Sequence, residues 1–506
     1  MYSLPLFPSA TSPTRPTWRW FWPVLGLAFL ARLAMAAWGD VLLHPDETYQ
    51  YLEQAHRAVY GYGFIPWEYS FGIRSWLIPG GLAGILRAGQ IVGLDAPHLY
   101  IPLIKGTLCL LSLLLPVGMY RLTQAVASER AAILAFLLGC FWHHFLYYAH
   151  KPMPGILATY ALVWMVVLML RAPGPNRLFL VGILSGLTLT LRYQLVPMLG
   201  LLNLFALIRL GPRGFGWVLL GNLAVLVLAG LLDLATWGGF LSSFIDNFRL
   251  NFSYDISSNF GRAPIDFYAK RFGVESGGLV LLAVLGAMMI WRRTWPVLIA
   301  VVIGVAALHV PAHKEFRFVI WAMPFVLAAA AVAACHPRLP NRLATPAVLL
   351  WGAATTLGFT SLYTGLQPYK SEARHGFAAF DTLSRLEHVT GVDIRADTLR
   401  VEFVPGYYGL HHPVPIFHAS LQNSPATVPD VSHVITQDPR QGPAGFTRLR
   451  AHGPYVLWQA DRIPPPADLD KSTLRWGYPA NIPDDFRPFG TAAPIVTQGL
   501  PRRDRN

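Results

Sequence analysis

The sequence predicts an all-α polytopic membrane protein, and three observations predict it. Hydrophobic residues make up 54% of the 506 and charged residues only 13%, a balance outside the range of ordinary water-soluble domains of this length. The mean hydropathy is +0.41. Apolar runs close to the ~20 residues that a helix needs to cross hydrocarbon recur through the first 362 positions. The breaks between them are short, so in lipid their backbone polar groups must be satisfied within helices.

The runs fall at 20–38, 73–93, 100–120, 131–146, 154–170, 178–191, 195–210, 214–232, 277–291, 296–310, 316–335 and 343–362. The first follows a segment, 1–19, that carries Arg15 and Arg19. No small-residue cleavage site comes after it, so it is expected to remain as an uncleaved first span. Beyond 363 the character changes to polar, Pro-rich and His-containing. There "TLRVEFV" and "VSHVITQ" alternate like strands and "GFAAFDTLSRLEHVTG" has a helical period, which predicts a small soluble α/β domain. The expected domains are therefore a cytoplasmic segment 1–19, a transmembrane domain 20–362 and a C-terminal domain 363–506.

Charge orients these elements. The loops "RLTQAVASER", "RAPGPNR", "RLGPR", "WRRTW" and "HPRLPNR" are basic and nearly free of acids, which puts them in the cytoplasm. The loops 39–72, 233–276 and 311–315 and the tail then fall on the non-cytoplasmic side. Twelve full crossings would return the tail to the cytoplasm, so about 11 are expected. The run 73–93, interrupted by "IPGG" and carrying Arg74 and Arg87, is the first choice for the segment that does not cross; the short pair 178–210 is the other.

The excess of 40 Lys and Arg over 27 Asp and Glu, a net +13, is read as this topological signal in preference to nucleic-acid binding. Cys109, Cys140 and Cys335 all lie in apolar runs, which argues against a disulfide framework or a cysteine metal site. No Gly-rich phosphate loop, no H-E-x-x-H and no paired Cys/His ligand spacing occurs, so soluble nucleotide binding and a metal centre are not indicated. His143/His144 and His411/His412 lack matching carboxylates nearby in sequence and read as structural.

Polar chemistry gathers in the external segments, and ionisable groups at a bilayer mark function. Asp46 and Glu47 follow the first span. They suit the N-terminal cap of an interfacial helix, with Pro45 in its first turn; equally, one carboxylate at the water–lipid boundary could act as a general base toward a sugar hydroxyl. Trp67, Tyr69 and Trp76, beside Glu68 and Arg74, fit an interfacial aromatic belt or a sugar-facing platform. In "HVPAHKEFRFVIW", Lys314 and Arg317 snorkel to headgroups or, three apart on a helical turn and flanked by His313, bracket a phosphate. Arg192, deep between apolar runs, is a third phosphate contact or a structural arginine bonded to carbonyls. The loop 233–276 offers Asn247, Asn251 and Asn259 among aromatics, a composition suited to carbohydrate and also to packing on lipid.

Taken together, "HPDETYQYLE", "WEYSFGIRSWLIP", "NFRLNF", "GRAPIDFY" and "HKEFRFVIWAMPF", in this order and spacing, resemble the polytopic lipid-linked-sugar mannosyltransferases. That family includes the third GPI-anchor mannosyltransferase and the Alg9-type enzymes. The resemblance covers about 20–335 and implies a GT-C fold. It also implies inverting transfer of mannose from a polyprenyl (dolichyl-type) phosphate to a glycan or glycolipid, without nucleotide sugar or cofactor. It assigns the base to Asp46, with Glu47 second, and the donor phosphate to Lys314 and Arg317, to which the residue reading adds Arg192 and His313. Sugar contacts fall on His44, Trp67, Glu68, Tyr69, Arg74, Asn247, Asn251 and Tyr268. Trp237-Gly238 stands where the family has Tyr-Gly, and "VPGYYGLHHPVP" lacks the Cys-rich pattern of many tails.

The competing class is a lipid-linked glycan flippase or transporter, which would show internal repeats; another variant keeps the enzyme and changes the sugar. Short loops and the absence of a K-D-E-L tail favour a bacterial plasma membrane over the endoplasmic reticulum.

Overall fold

The computed structural model describes residues 18–38, 44–171, 173–337, 341–365, 368–396, 404–419, 430–437, 442–466, 468–469, 482 and 495–496. The segment before Trp18 and the strand expected in "TLRVEFV", save Val404, lie outside them. The chain divides into two compact units: Met1–Ala36, Leu108–Leu234 and Gly239–Phe359 form the first, and Ala37–Thr107, Ala235–Gly238 and Thr360–Asn506 the second.

Among the described residues four helices are long and apolar enough to cross a membrane: Phe21–Trp38, Pro97–Val126, Tyr193–Trp237 and Leu279–Ala307. The helices Glu129–Phe141 and His143–His150, bent by 49° to one another, reach that length and apolarity only when taken together. Shorter apolar helices run over Pro154–Met169, Pro175–Leu191, Ile320–Ala334 and Leu343–Phe359. The segment 73–93 becomes the 15-residue helix Leu77–Ile91, about 22 Å long at 1.5 Å per residue and short of the ~30 Å hydrocarbon core. The boundary expected between 195–210 and 214–232 appears as a break at Gly211, whose φ of 67° only glycine adopts readily, followed by Pro212.

The runs 277–291 and 296–310 share one stretch of helical backbone, Leu279–Ala307, but its ends return to the same loop: Ala263 N donates to Ala312 O (3.0 Å) and Tyr268 packs against His309 at 5.0 Å, closer than a straight helix of ~43 Å allows, so the stretch bends back on itself between the two runs. Gly286 and Gly304 lie within it and Pro296 removes one hydrogen bond, and none of the three ends the helical backbone.

Small residues let the helices of the first unit approach closely. A Cβ on Gly182 would stand 2.0 Å from the Val218 carbonyl oxygen, and one on Gly221 2.2 Å from that of Phe179, the small-residue contact favoured where lipid gives no hydrophobic drive. Arg32, fully buried on the first span, donates from Nε to Ser112 Oγ (2.9 Å), from Nη1 to Ala28 O (3.0 Å) and Cys140 O (2.7 Å), and from Nη2 to Gly139 O (3.1 Å). Gly139 and Cys140 lie in the last turn of Glu129–Phe141, whose carbonyls have no intrahelical partner, and a cation suits that end. Arg32→Ala is expected to cost about 2 kcal/mol or more and should lower the melting temperature in detergent by several degrees.

The second unit combines a mixed sheet with the chain that follows the first span. Its strands are β1 (Gly63–Phe64), β2 (Val392–Arg395), β3 (Ile416–Ala419), β4 (His433–Thr436), β5 (Phe446–His452), β6 (Tyr455–Ala460) and β7 (Ile495–Val496). Five form one sheet in the order β3-β2-β4-β6-β5, while β1 pairs with β7. β2 is parallel to both β3 and β4, and the β5–β6 hairpin adds antiparallel to β4. The expected helix is Pro368–Leu383 and "VSHVITQ" supplies β4. The core joins Ala379, Phe380 and Leu383 to Val392, Ile394, Ile435 and Leu457, and to Tyr49 and Phe64 of the first loop. That loop is thus part of the tail's hydrophobic core.

Candidate active site

Pro45 opens a turn in the first loop; Glu47–Leu52 is a π-helix and Glu53–Tyr60 continues as α-helix. A π-turn widens the backbone ring and recurs at functional positions. Asp46 precedes it with helical backbone angles and makes no capping hydrogen bond. The capping role open to this pair is therefore not taken by the Asp46 side chain. Asp46 is partly exposed, and Glu47 is buried at 7%.

Trp67, Glu68, Tyr69 and Trp76, expected as an aromatic belt or a sugar-facing platform, are all buried. Gln50 Nε2 donates to Glu68 Oε1 (2.6 Å), Tyr69 Oη donates to Gln50 O (2.9 Å), and Trp237 Nε1 donates to Arg74 O (2.9 Å). Tyr69 packs edge-on to Trp76. These residues shape the loop from within because an amphipathic ring in a short loop finds its own core before it finds water. His44 and Arg74 remain partly exposed.

Two residues of this loop escaped the sequence reading. Glu53, wholly buried, accepts from the backbone N–H of Phe64 (2.8 Å) and Tyr407 (3.0 Å) at Oε1 and from that of Tyr408 (2.7 Å) at Oε2. Burial pushes its carboxyl up to about 7 against those three donors. Arg57, 3% exposed, lies over Trp76 at 5.3 Å, and burial holds its guanidinium down to about 10. The available signal was an acid and a base four apart, one turn of a helix. His56 Nε2 meets His411 Nδ1 at 3.1 Å, and burial pushes both imidazoles down, His56 to about 3, so His411 is a structural partner.

In the first unit the expected cations occupy a break before Phe316. Lys314 is not on a helical turn, contrary to the spacing argument: it precedes the 3₁₀ turn Phe316–Phe318. Its buried ammonium donates to Ala263 O (3.1 Å) and Ala312 O (3.5 Å). Arg317 engages Glu315 twice, Nε to Oε2 at 2.7 Å and Nη2 to Oε1 at 2.8 Å, and His313 Nε2 stands 2.9 Å from Oε1. Arg192, in the gap before Tyr193–Leu195, lies with its guanidinium 4.8 Å over the Phe318 ring, and Arg317 is 5.5 Å from the same ring. Phe318 thus carries two guanidinium groups, one of them paired with the Glu315 carboxylate. In the long loop Tyr193 Oη donates to Asn247 Oδ1 (2.6 Å) and Asn251 Nδ2 to the same atom (2.9 Å), while Tyr268 packs against His309.

His143 and His144 are not isolated from acids. Glu275 Oε2 stands 3.0 Å from His144 Nε2 and 3.8 Å from His143 Nε2, a meeting of distant segments that local spacing does not reveal.

The Alg9-like mannosyltransferase family model matches residues 23–371. The chain belongs to that family. The mannosyltransferase APTG1 of Arabidopsis thaliana is 27% identical over 322 residues, 60% of this chain and 56% of that protein. The GPI mannosyltransferase 3 of Yarrowia lipolytica is 26% identical over 309 residues, 60% of each. The chain therefore spans less than two thirds of the length of these relatives. Among solved structures, ArnT from Cupriavidus metallidurans bound to undecaprenyl phosphate superposes with a TM-score of 0.56 at 12% identity, covering 87% of this chain and 97% of that one. Family and superposition together establish a GT-C membrane fold for this mannosyltransferase-family chain.

Proposed function

We propose that the protein transfers mannose from a polyprenyl (dolichyl-type) phosphate to a hydroxyl of a glycan or glycolipid, inverting the anomeric carbon to give an α-mannoside. The family match over 23–371 carries the reading. The acceptor hydroxyl attacks C1 as Asp46 takes its proton; the C1–O bond to phosphate breaks with its electron pair, and polyprenyl phosphate leaves. The leaving group is already a stable anion, so cations need only stabilise developing charge. No cofactor is required.

Asp46 is the preferred base, being partly exposed where Glu47 is buried, and Glu47 is the second choice. Arg317, Lys314, Arg192 and His313 form the phosphate set, with Glu315 holding Arg317 until phosphate replaces it. His44, Arg74, Asn247, Asn251 and Tyr268 are assigned to sugar, and Trp67, Glu68 and Tyr69 support them from the loop core. About 11 crossings put the loops 39–72, 233–276 and 311–315 and the tail on the non-cytoplasmic face. Short loops favour a bacterial plasma membrane; the Arabidopsis and Yarrowia relatives favour the alternative, the endoplasmic reticulum.

Purified protein supplied with radiolabelled polyprenyl-phosphate-mannose and a mannosylated lipid acceptor should form labelled glycolipid. No transfer across several acceptors, with labelled lipid moving between leaflets of a vesicle, would replace the enzyme by a carrier. Arg317→Ala should lower kcat/KM for the donor about 10- to 100-fold, the value of one charged hydrogen bond; Arg317→Lys should restore part of it. An unchanged donor kcat/KM in Arg317→Ala would remove Arg317 from the phosphate set.

A further inference from the structure

The bend at Trp142 brings His143 and His144 to Glu275, the last residue of the helix Phe267–Glu275. The three residues are 2%, 3% and 0% exposed. One donor atom from each lies within 4.8 Å of the other two. Both imidazoles turn Nε2 toward the same carboxylate oxygen, Oε2, at 3.8 and 3.0 Å. Among the described residues neither Nδ1 has a hydrogen-bond partner, and at 3.8 Å His143 Nε2 has none either. A buried imidazole with no hydrogen bond is a costly arrangement unless a ligand absent from the protein chain completes it. Arg271 holds the other oxygen, Oε1, of Glu275, which turns Oε2 toward the rings.

We propose that His143, His144 and Glu275 bind a divalent transition-metal ion, zinc first among candidates. Bonds of about 2.0–2.1 Å to imidazole nitrogen and carboxylate oxygen place tetrahedral donors about 3.4 Å apart, and the two observed separations fall on either side of that value. Two imidazoles and one carboxylate suit zinc and its neighbours better than magnesium or calcium, which take oxygen. Water fills the fourth position. Arg271 acts from outside the ligand set by orienting the carboxylate, the task that outer partners perform at metal sites. The ion ties the bent helix pair to the helix Phe267–Glu275. Phe316, in the break that carries Arg317, packs on His144 at 5.1 Å and lies under Arg271 at 6.0 Å, so the ion also stiffens that break. The site stands whether or not the transfer reading holds, because its test reads metal and not activity.

Full-length protein purified in detergent is incubated with zinc, desalted and assayed for metal by mass spectrometry. Wild type, and the control His388→Gln at an exposed histidine, should retain about one zinc per chain; His144→Gln and Glu275→Gln should retain about tenfold less. Cobalt(II) gives a readout that needs no variant: wild type should develop the visible absorption of four-coordinate cobalt, and zinc should abolish it. Wild type that retains less than about a tenth of an equivalent, or that stays colourless with cobalt, overturns the site. So does full retention in both variants, which would move the metal elsewhere.

Discussion

Asp46→Asn should reduce mannose transfer about a hundred- to ten-thousand-fold while leaving the protein folded, the loss expected when a general base is removed. The amide keeps the shape of the carboxylate and cannot accept a proton at neutral pH. The amide also keeps an accepting oxygen, so the melting temperature should change far less than the activity does. Glu47→Gln tests the neighbour. Glu47 is buried at 7% on the π-turn, a position that favours holding the loop over meeting an acceptor, so a smaller loss accompanied by a lower melting temperature is expected. The two carboxylates also differ in their pH signature. Loss of the base should erase the acid limb of the kcat/KM profile, whereas loss of a positioning group should scale the profile without changing its shape. An Asp46→Asn enzyme within a few-fold of wild type would transfer the base role to Glu47 or end it for this loop.

Much of the membrane part was legible because lipid enforces a simple rule: spans are helical, apolar and long. The break at Gly211 followed by Pro212 could be read directly, since glycine and proline change the backbone itself. At "WRRTW" the helical backbone continues through Arg292 and Arg293, yet the segments on either side of Leu279–Ala307 meet, so charge marked a bend that the backbone angles alone do not. The motif residues were found because they cluster within a few positions; what they touch was not. Tyr49 and Phe64 join the sheet core, and nothing in a period-3.6 or period-2 pattern states which distant surface an aromatic will meet. The Trp-Glu-Tyr run is buried, and such a run looks alike in sequence whether it faces a ligand or its own loop. Glu275 beside His143 and His144 is a third case, in which neighbours in space share no neighbourhood in sequence.

Glu53→Ala should destabilise the second unit more than any single substitution at the proposed catalytic pair. Its carboxylate accepts three backbone N–H groups, one from Phe64 in the first loop and two from Tyr407 and Tyr408 in the tail. Each donor left buried without an acceptor costs about 1–3 kcal/mol, so the total is comparable with the ~5–15 kcal/mol by which a domain is stable. Extensive unfolding of this unit in detergent, read by proteolysis, is the expected result. Glu53→Gln isolates the charge. Burial raises the folded carboxyl from 4.5 to about 7, so between those values the folded state binds more protons than the unfolded one and stability falls as pH rises. Below 4.5 both states are protonated, and above about 7 both are ionised, so the dependence is confined to that window. At 1.36 kcal/mol per pH unit the difference amounts to about 3 kcal/mol. Gln does not titrate, so the melting temperature of wild type minus that of Glu53→Gln should shrink from pH 5 to pH 7 and then level off. A difference that does not vary with pH would mean that the three N–H donors outweigh burial and keep the Glu53 carboxylate ionised throughout. In that case the loop and tail are joined by a permanent charge, and the raised carboxyl has no part in their union.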